Sequence, residues 1–112
     1  MRNDRIFIEH ILISISAIES FIKDVDKNHF LKNRMIQSAI IREIEIIGEA
    51  AKNISKETRN KNRHIPWKQI TGMRDQLIHH YFGVDLQLVW NTIVKAIPPL
   101  KKQIENLRKE LS

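Results

Sequence analysis

Apolar residues recur along the chain at steps of three and four rather than two, the spacing of helices that bury one face. A first helix can be capped near Asn3 or Asp4. It carries Ile8, Ile11, Leu12, Ile15, Ile18 and Ile22 on one face until Asp24-Val25-Asp26-Lys27-Asn28 breaks it. A second is predicted from about Leu31 to Ile54. Its stripe is Ile36, Ile40, Ile44, Ile47, Ala51 and Ile54, widened by Ile41, Gly48 and Ala50. Isoleucine is β-branched and a weak helix former, but the period sustained over this whole segment outweighs local preference.

Ser55 to His64 reads as a polar connection with room for a turn of helix. Pro66 suits the first turn of a third helix, where its missing N–H costs nothing, and Ile70, Met73 and Leu77 give that helix its buried side. Gly83 punctuates the chain, and Asp85 is a good N-cap for a fourth helix. Its stripe runs through Leu86, Trp90, Ile93, Ile97, Leu100, Ile104, Leu107 and Leu111. Pro98-Pro99 interrupts it, so a kink or restart is expected there. The sum is an all-α antiparallel bundle of four or five helices, expected as one domain over residues 1–112.

Composition narrows the function classes. Of the 112 residues 42% are apolar and 29% charged, which suits a compact fold rather than a disordered tail. With no cysteine, disulfides, thiolate zinc sites and thiol catalysis are all excluded. No apolar run approaches the roughly 18 residues that cross a bilayer. The basic start Met1-Arg2-Asn3-Asp4-Arg5 is followed by Glu9 and His10 with no small-residue cleavage site, so a cytoplasmic protein without a signal peptide is expected.

A net charge of +6 favours an anionic partner, with nucleic acid foremost. Lys52, Lys56, Arg59, Lys61 and Arg63 crowd one polar stretch beside His64, with Glu57 as its single acid. The stretch suits either a solvated loop or a set of contacts to an RNA backbone. Lys101, Lys102, Arg108 and Lys109 are balanced by Glu105 and Glu110, which makes an ordinary solvent face.

The dense chemistry lies in Gly72-Met73-Arg74-Asp75-Gln76-Leu77-Ile78-His79-His80-Tyr81-Phe82-Gly83-Val84-Asp85. Arginine can hold two phosphate oxygens and stabilise charge in a transition state. Histidine titrates near neutrality and can take or give a proton. At about 100° per residue, Arg74 and His79 fall about 140° apart on an ideal helix. They converge only through the long reach of arginine, an early end to the helix near Ile78, or a second copy of the chain. Asp75 and His79 are i,i+4 neighbours, so Asp75 can fix the His79 tautomer.

Other readings of individual residues are less productive. The adjacent pair His79-His80 diverges on a helix and completes no set of ligands, so no metal is expected. Glu45 and Glu49 share a helix face, either as catalytic acids or, for Glu49, as partner to a cation such as Arg74. Trp67 and Trp90 suit core anchors better than base-stacking platforms.

Arg74-Asp75-Gln76-Leu77-Ile78-His79-His80-Tyr81 matches the Arg-x-x-x-x-His-x-Tyr signature of HepT-like toxins, a branch of the HEPN superfamily. The blocks Ile46-Ile47-Gly48-Glu49-Ala50-Ala51, Ile65-Pro66-Trp67, Gly72-Met73-Arg74 and Tyr81-Phe82-Gly83-Val84-Asp85 resemble the family in the same order. The resemblance implies a HEPN-like helical homodimer with its motifs facing a shared cleft. It also implies a metal-independent endoribonuclease, the toxin of a type VII toxin–antitoxin pair. The partner would be an MNT-type nucleotidyltransferase antitoxin that transfers AMP from ATP to the motif tyrosine, here Tyr81. By the same resemblance Arg74 and His79 are the catalytic pair, Asp75 supports them, and no cofactor is needed, since ATP serves the antitoxin.

Two other readings compete. One is a non-catalytic helper subunit that presents nucleotide or substrate to a nucleotidyltransferase. The other is a helical nucleic-acid-binding regulator, for which no helix-turn-helix pattern is present.

Overall fold

In a computed structural model that describes residues 3–79 and 85–111, the chain is a helical bundle. Its helices are α1 (Asp4–Ile22), α2 (Lys27–Lys32), α3 (Arg34–Lys52), α4 (Lys56–Lys61), α5 (Trp67–His79), α6 (Leu86–Asn91) and α7 (Ile97–Glu110). A π-helical segment, Thr92–Ala96, joins α6 to α7. No strand occurs among the described residues. Within α5 the backbone alone is described at positions 73, 74 and 76–79.

The predicted stripes form the core. Ile8, Ile11, Ile15 and Ile18 of α1 are fully buried against Ile40, Ile44 and Ile47 of α3, and α5 and α7 pack on the same nucleus. Each isoleucine taken from water contributes roughly 1.5–3 kcal/mol, which explains how weak helix formers still build long helices. Ile97, Leu100, Ile104 and Leu107 close the far side from α7. Phe30 of α2 is fully buried, and Trp90 stacks on it with ring centroids 5.3 Å apart. The inward positions expected at Met73 and Leu77 fall outside the described side chains.

Three local expectations are corrected. Neither Asn3 nor Asp4 caps α1 through its side chain; Asp4 is instead buried, and its carboxylate accepts from Ser55 N–H (2.9 Å), Ser55 Oγ (2.7 Å) and Thr58 Oγ1 (2.6 Å). The second helix is two, because Asp26 caps α2 through His29 N–H and Asn33 caps α3 through Ile36 N–H. Asp24, with φ 61°, makes the left-handed turn between α1 and α2. The anticipated turn in the polar connection is α4, capped by Ser55.

Pro98 and Pro99 act as expected by breaking the rod, and they do so through a widened turn. Ile97 N–H donates to Thr92 O, five residues back, before α7 restarts with proline in its first turn. Proline lacks the N–H for an α-helical bond, and its ring collides with the carbonyl four residues earlier. The wider turn relieves that conflict. Asp85 caps α6 by accepting Leu88 N–H at 3.0 Å.

Candidate active site and nucleic-acid interface

Positions 74, 75 and 79 all lie on α5, which is helical through His79. The side chains of Arg74 and His79, and all of His80, Tyr81 and Gly83, fall outside the described residues, as does the expected pairing of Glu49 with Arg74. The backbone does supply the spacing. The two positions are five residues apart on one helix, about 7.5 Å along its axis and about 140° around it.

Asp75 is described, and it reaches across to α3: its Oδ1 lies 3.7 Å from Lys52 Nζ, with both side chains half-exposed. The contact ties the last residue of α3 to the motif one turn before position 79. Ile70 and Trp67 are buried on the side of α5 that meets α3. Trp67 is a core anchor, and its indole N–H donates to Asn62 O at 3.1 Å.

The basic stretch divides by partner. Lys61 pairs with Glu57 one turn back on α4, both ends well exposed, while Lys52 points its ammonium at Asp75. Lys56, Arg59 and Arg63 instead share a groove of about 590 Å³ with Lys68, a cation that the sequence pattern does not single out. Ile65, Pro66 and Trp67 supply apolar wall, and no carboxylate is among the described residues lining the groove. Sequence distance hides Lys68, because it belongs to α5 rather than to the polar stretch. Only the tight connection between α4 and α5 brings them together.

That connection is held firmly. Asn62 is buried; its amide donates to Thr58 O at 2.9 Å, and its carbonyl also accepts Ile65 N–H at 3.0 Å. Gln103 of α7 donates to His64 O at 3.3 Å. The groove walls therefore rest on the bundle.

Glu45 and Glu49 line a different cleft, of about 240 Å³, between α1 and α3, with His10, Arg42 and Asn53. Arg42 sits beside them there, so the cleft carries both signs of charge. Among the described residues no group of three histidine, aspartate or glutamate side chains is placed to hold a metal ion. No described helix is long and apolar enough to cross a membrane.

Known proteins share this sequence along most of its length. The family described as Ribonuclease HepT-like matches residues 11–107. A protein of Methanocaldococcus jannaschii named "Gamma-glutamylcyclotransferase and putative RNase" is 50% identical over 112 residues, 99% of this chain; the chain spans 50% of that relative's length. A "Putative RNase" of Caldanaerobacter subterraneus subsp. tengcongensis is 46% identical over 111 residues, 98% of this chain and 99% of its own. The "Probable ribonuclease HepT" of Thermococcus cleftensis is 43% identical over 108 residues, 96% of this chain and 98% of its own. No solved structure matches the chain.

Proposed function

The chain belongs to the HepT-like ribonuclease family, and from that premise we propose that it is a metal-independent endoribonuclease, the toxin of a type VII toxin–antitoxin pair. The observation that carries this reading is the placement of Arg74, Asp75 and His79 on one helix, α5, inside the region matched by the family. Relatives named as RNases along nearly the whole chain support it.

In the proposed reaction a ribose 2′-oxygen attacks the adjacent phosphorus. The new O–P bond forms as the bond to the 5′-oxygen of the next nucleotide breaks. His79 takes the 2′-hydroxyl proton or gives one to the leaving 5′-oxygen. Arg74 holds the phosphate and stabilises charge growing on its free oxygens. Asp75 orients His79. The nucleophile is the RNA's own hydroxyl, so RNA is cut and DNA is not, and the chemistry calls for no metal or other cofactor. Because positions 74 and 79 diverge around α5, a homodimer in which two motifs face one cleft is the assembly proposed.

Control is proposed to come from an MNT-type nucleotidyltransferase that moves AMP from ATP to the hydroxyl of Tyr81, releasing pyrophosphate. The added phosphate and nucleoside compete for Arg74 and fill the cleft.

The test uses unmodified protein, verified by intact mass, with labelled RNA in excess EDTA, alongside Arg74→Ala and His79→Ala. Cleavage by the wild type and its loss in both variants is expected. Equal cleavage by all three would reveal a contaminating nuclease and remove support for the site. No cleavage by verified protein across several RNA classes would favour the helper-subunit reading.

A further inference from the structure

The groove between α4 and α5 does not end at α4. Lys56 and Arg59 also wall a second cleft, of about 370 Å³, whose other side is Lys52. Lys52 in turn reaches Asp75, one turn before position 79. A band of positive charge thus runs from Arg63 and Lys68, over Lys56 and Arg59, to the motif helix.

We propose that this band is a track for the strand flanking the scissile phosphate, with Arg59 as its central anchor, so that the protein grips single-stranded RNA a few nucleotides to one side of the cut. The proposal rests on the ribonuclease reading for the identity of its ligand.

Arg59 is half-buried, and it stands in the wall common to both clefts. Its Nε is buried with no hydrogen-bond partner. A buried donor without an acceptor is uncommon and unfavourable. A phosphate at the guanidinium edge supplies acceptor oxygens in the geometry arginine matches best.

Helical register aligns the track with the motif. Lys68, Gly72, Asp75 and position 79 follow one another at steps of four, three and four, within about 60° of one another around α5. From 68 to 79 the rise is about 16 Å, the span of a few nucleotides. The apolar side of α5, Trp67 and Ile70, faces the other way.

Gly72 adds an independent sign. A Cβ built there meets nothing within 4 Å, so packing does not demand the glycine. Glycine inside a helix is destabilising. A bare backbone midway along this stripe leaves space for a ribose–phosphate chain to lie close to the helix.

The occupant favoured is RNA rather than an acidic protein. The cations are spread along a path, with apolar wall beside them, and phosphate binding by such a path is insensitive to sequence and sensitive to salt.

The experiment measures anisotropy of a dye-labelled single-stranded dodecanucleotide of mixed RNA sequence against the full chain carrying His79→Ala, so that binding is read without cleavage. Adding Arg59→Gln and Arg63→Gln should weaken binding at least tenfold and lower the salt slope by about 1.4, since each phosphate left unneutralised removes roughly 0.7. Removing the same charge from α7 with Lys102→Ala and Lys109→Ala should change both far less. Gly72→Leu should also weaken binding while melting no lower than its parent, a result that loss of fold cannot produce. Equal effects of the two charge pairs, or unchanged affinity in Arg59→Gln/Arg63→Gln and in Gly72→Leu, would overturn the track. So would intact RNA binding with loss of the cognate nucleotidyltransferase, which would make the band a protein-docking surface. Failure of the wild type to cleave RNA would defeat the ribonuclease reading and leave these binding results to stand separately.

Discussion

Lys52 Nζ lies 3.7 Å from Asp75 Oδ1, an ion pair joining the end of α3 to the motif helix. Both side chains are more than a third exposed, and pairs of that kind contribute about 0–1 kcal/mol. Removing it should therefore matter little to folding. Its chemical effect should be larger if Asp75 orients His79. Asp75→Asn is expected to change the unfolding free energy by less than about 1 kcal/mol while lowering kcat. The acid limb of the pH–rate profile should move to lower pH in Asp75→Asn and to higher pH in Lys52→Met. A profile that stays in place in both variants would remove Asp75 from its positioning role.

Tyr81→Phe should leave much of the cleavage activity and escape the antitoxin. Growth of cells expressing the variant with an active nucleotidyltransferase, together with intact mass, decides this. Silencing of Tyr81→Phe by transferase activity would end the account of control through that hydroxyl.

Asp4→Ala removes the acceptor for three donors from Ser55 and Thr58. Stranding such groups costs about 1–3 kcal/mol. Ser55 caps α4, which carries Lys56 and Arg59. Amide hydrogen exchange should thus accelerate in α4 before it does so in α7. A uniform acceleration through the bundle would show that Asp4 does not hold α4 locally.

Ile44 is fully buried in the core. Truncation to alanine should destabilise the fold by about 2–5 kcal/mol. In urea unfolding the midpoint should fall with little change in slope.

Lys101 is held above its usual pKa of 10.5, first by its hydrogen bond to Glu19 and then by that carboxylate's charge. A raised folded-state value means that its contribution is fully present below 10.5 and is lost as pH rises through the folded value. Lys101→Met should lower Tm by the same small amount at neutral and mildly alkaline pH. The difference should vanish only in strongly alkaline buffer.

The parts of the fold visible in the sequence are those with a period. Ile8 to Ile18 and Ile40 to Ile47 announce their helices because burial selects one face, and the proline pair announces its own break. Asn33 is not visible as a cap. The stripe from Leu31 to Ile36 continues across it, and only backbone direction separates α2 from α3. Asp4 looks like a cap because its partners are more than 50 residues away. At the site, Arg74, Asp75 and His79 are legible as a local motif. The groove is legible only in part, since Lys68 joins Lys56, Arg59 and Arg63 through the turn fixed by Asn62. Charge counted along the chain does not report such convergence.

The π-helical segment Thr92–Ala96 also constrains how this chain can change length. One widened turn absorbs about one residue relative to an α-helix. Deleting a single residue there would restore a regular turn but rotate everything after it by about 100°. Ile97, Leu100, Ile104 and Leu107 would swing out of the core together. Insertions and deletions should thus be far better tolerated in the exposed segment 23–26 than between positions 92 and 96, where the phase of the whole last helix is set.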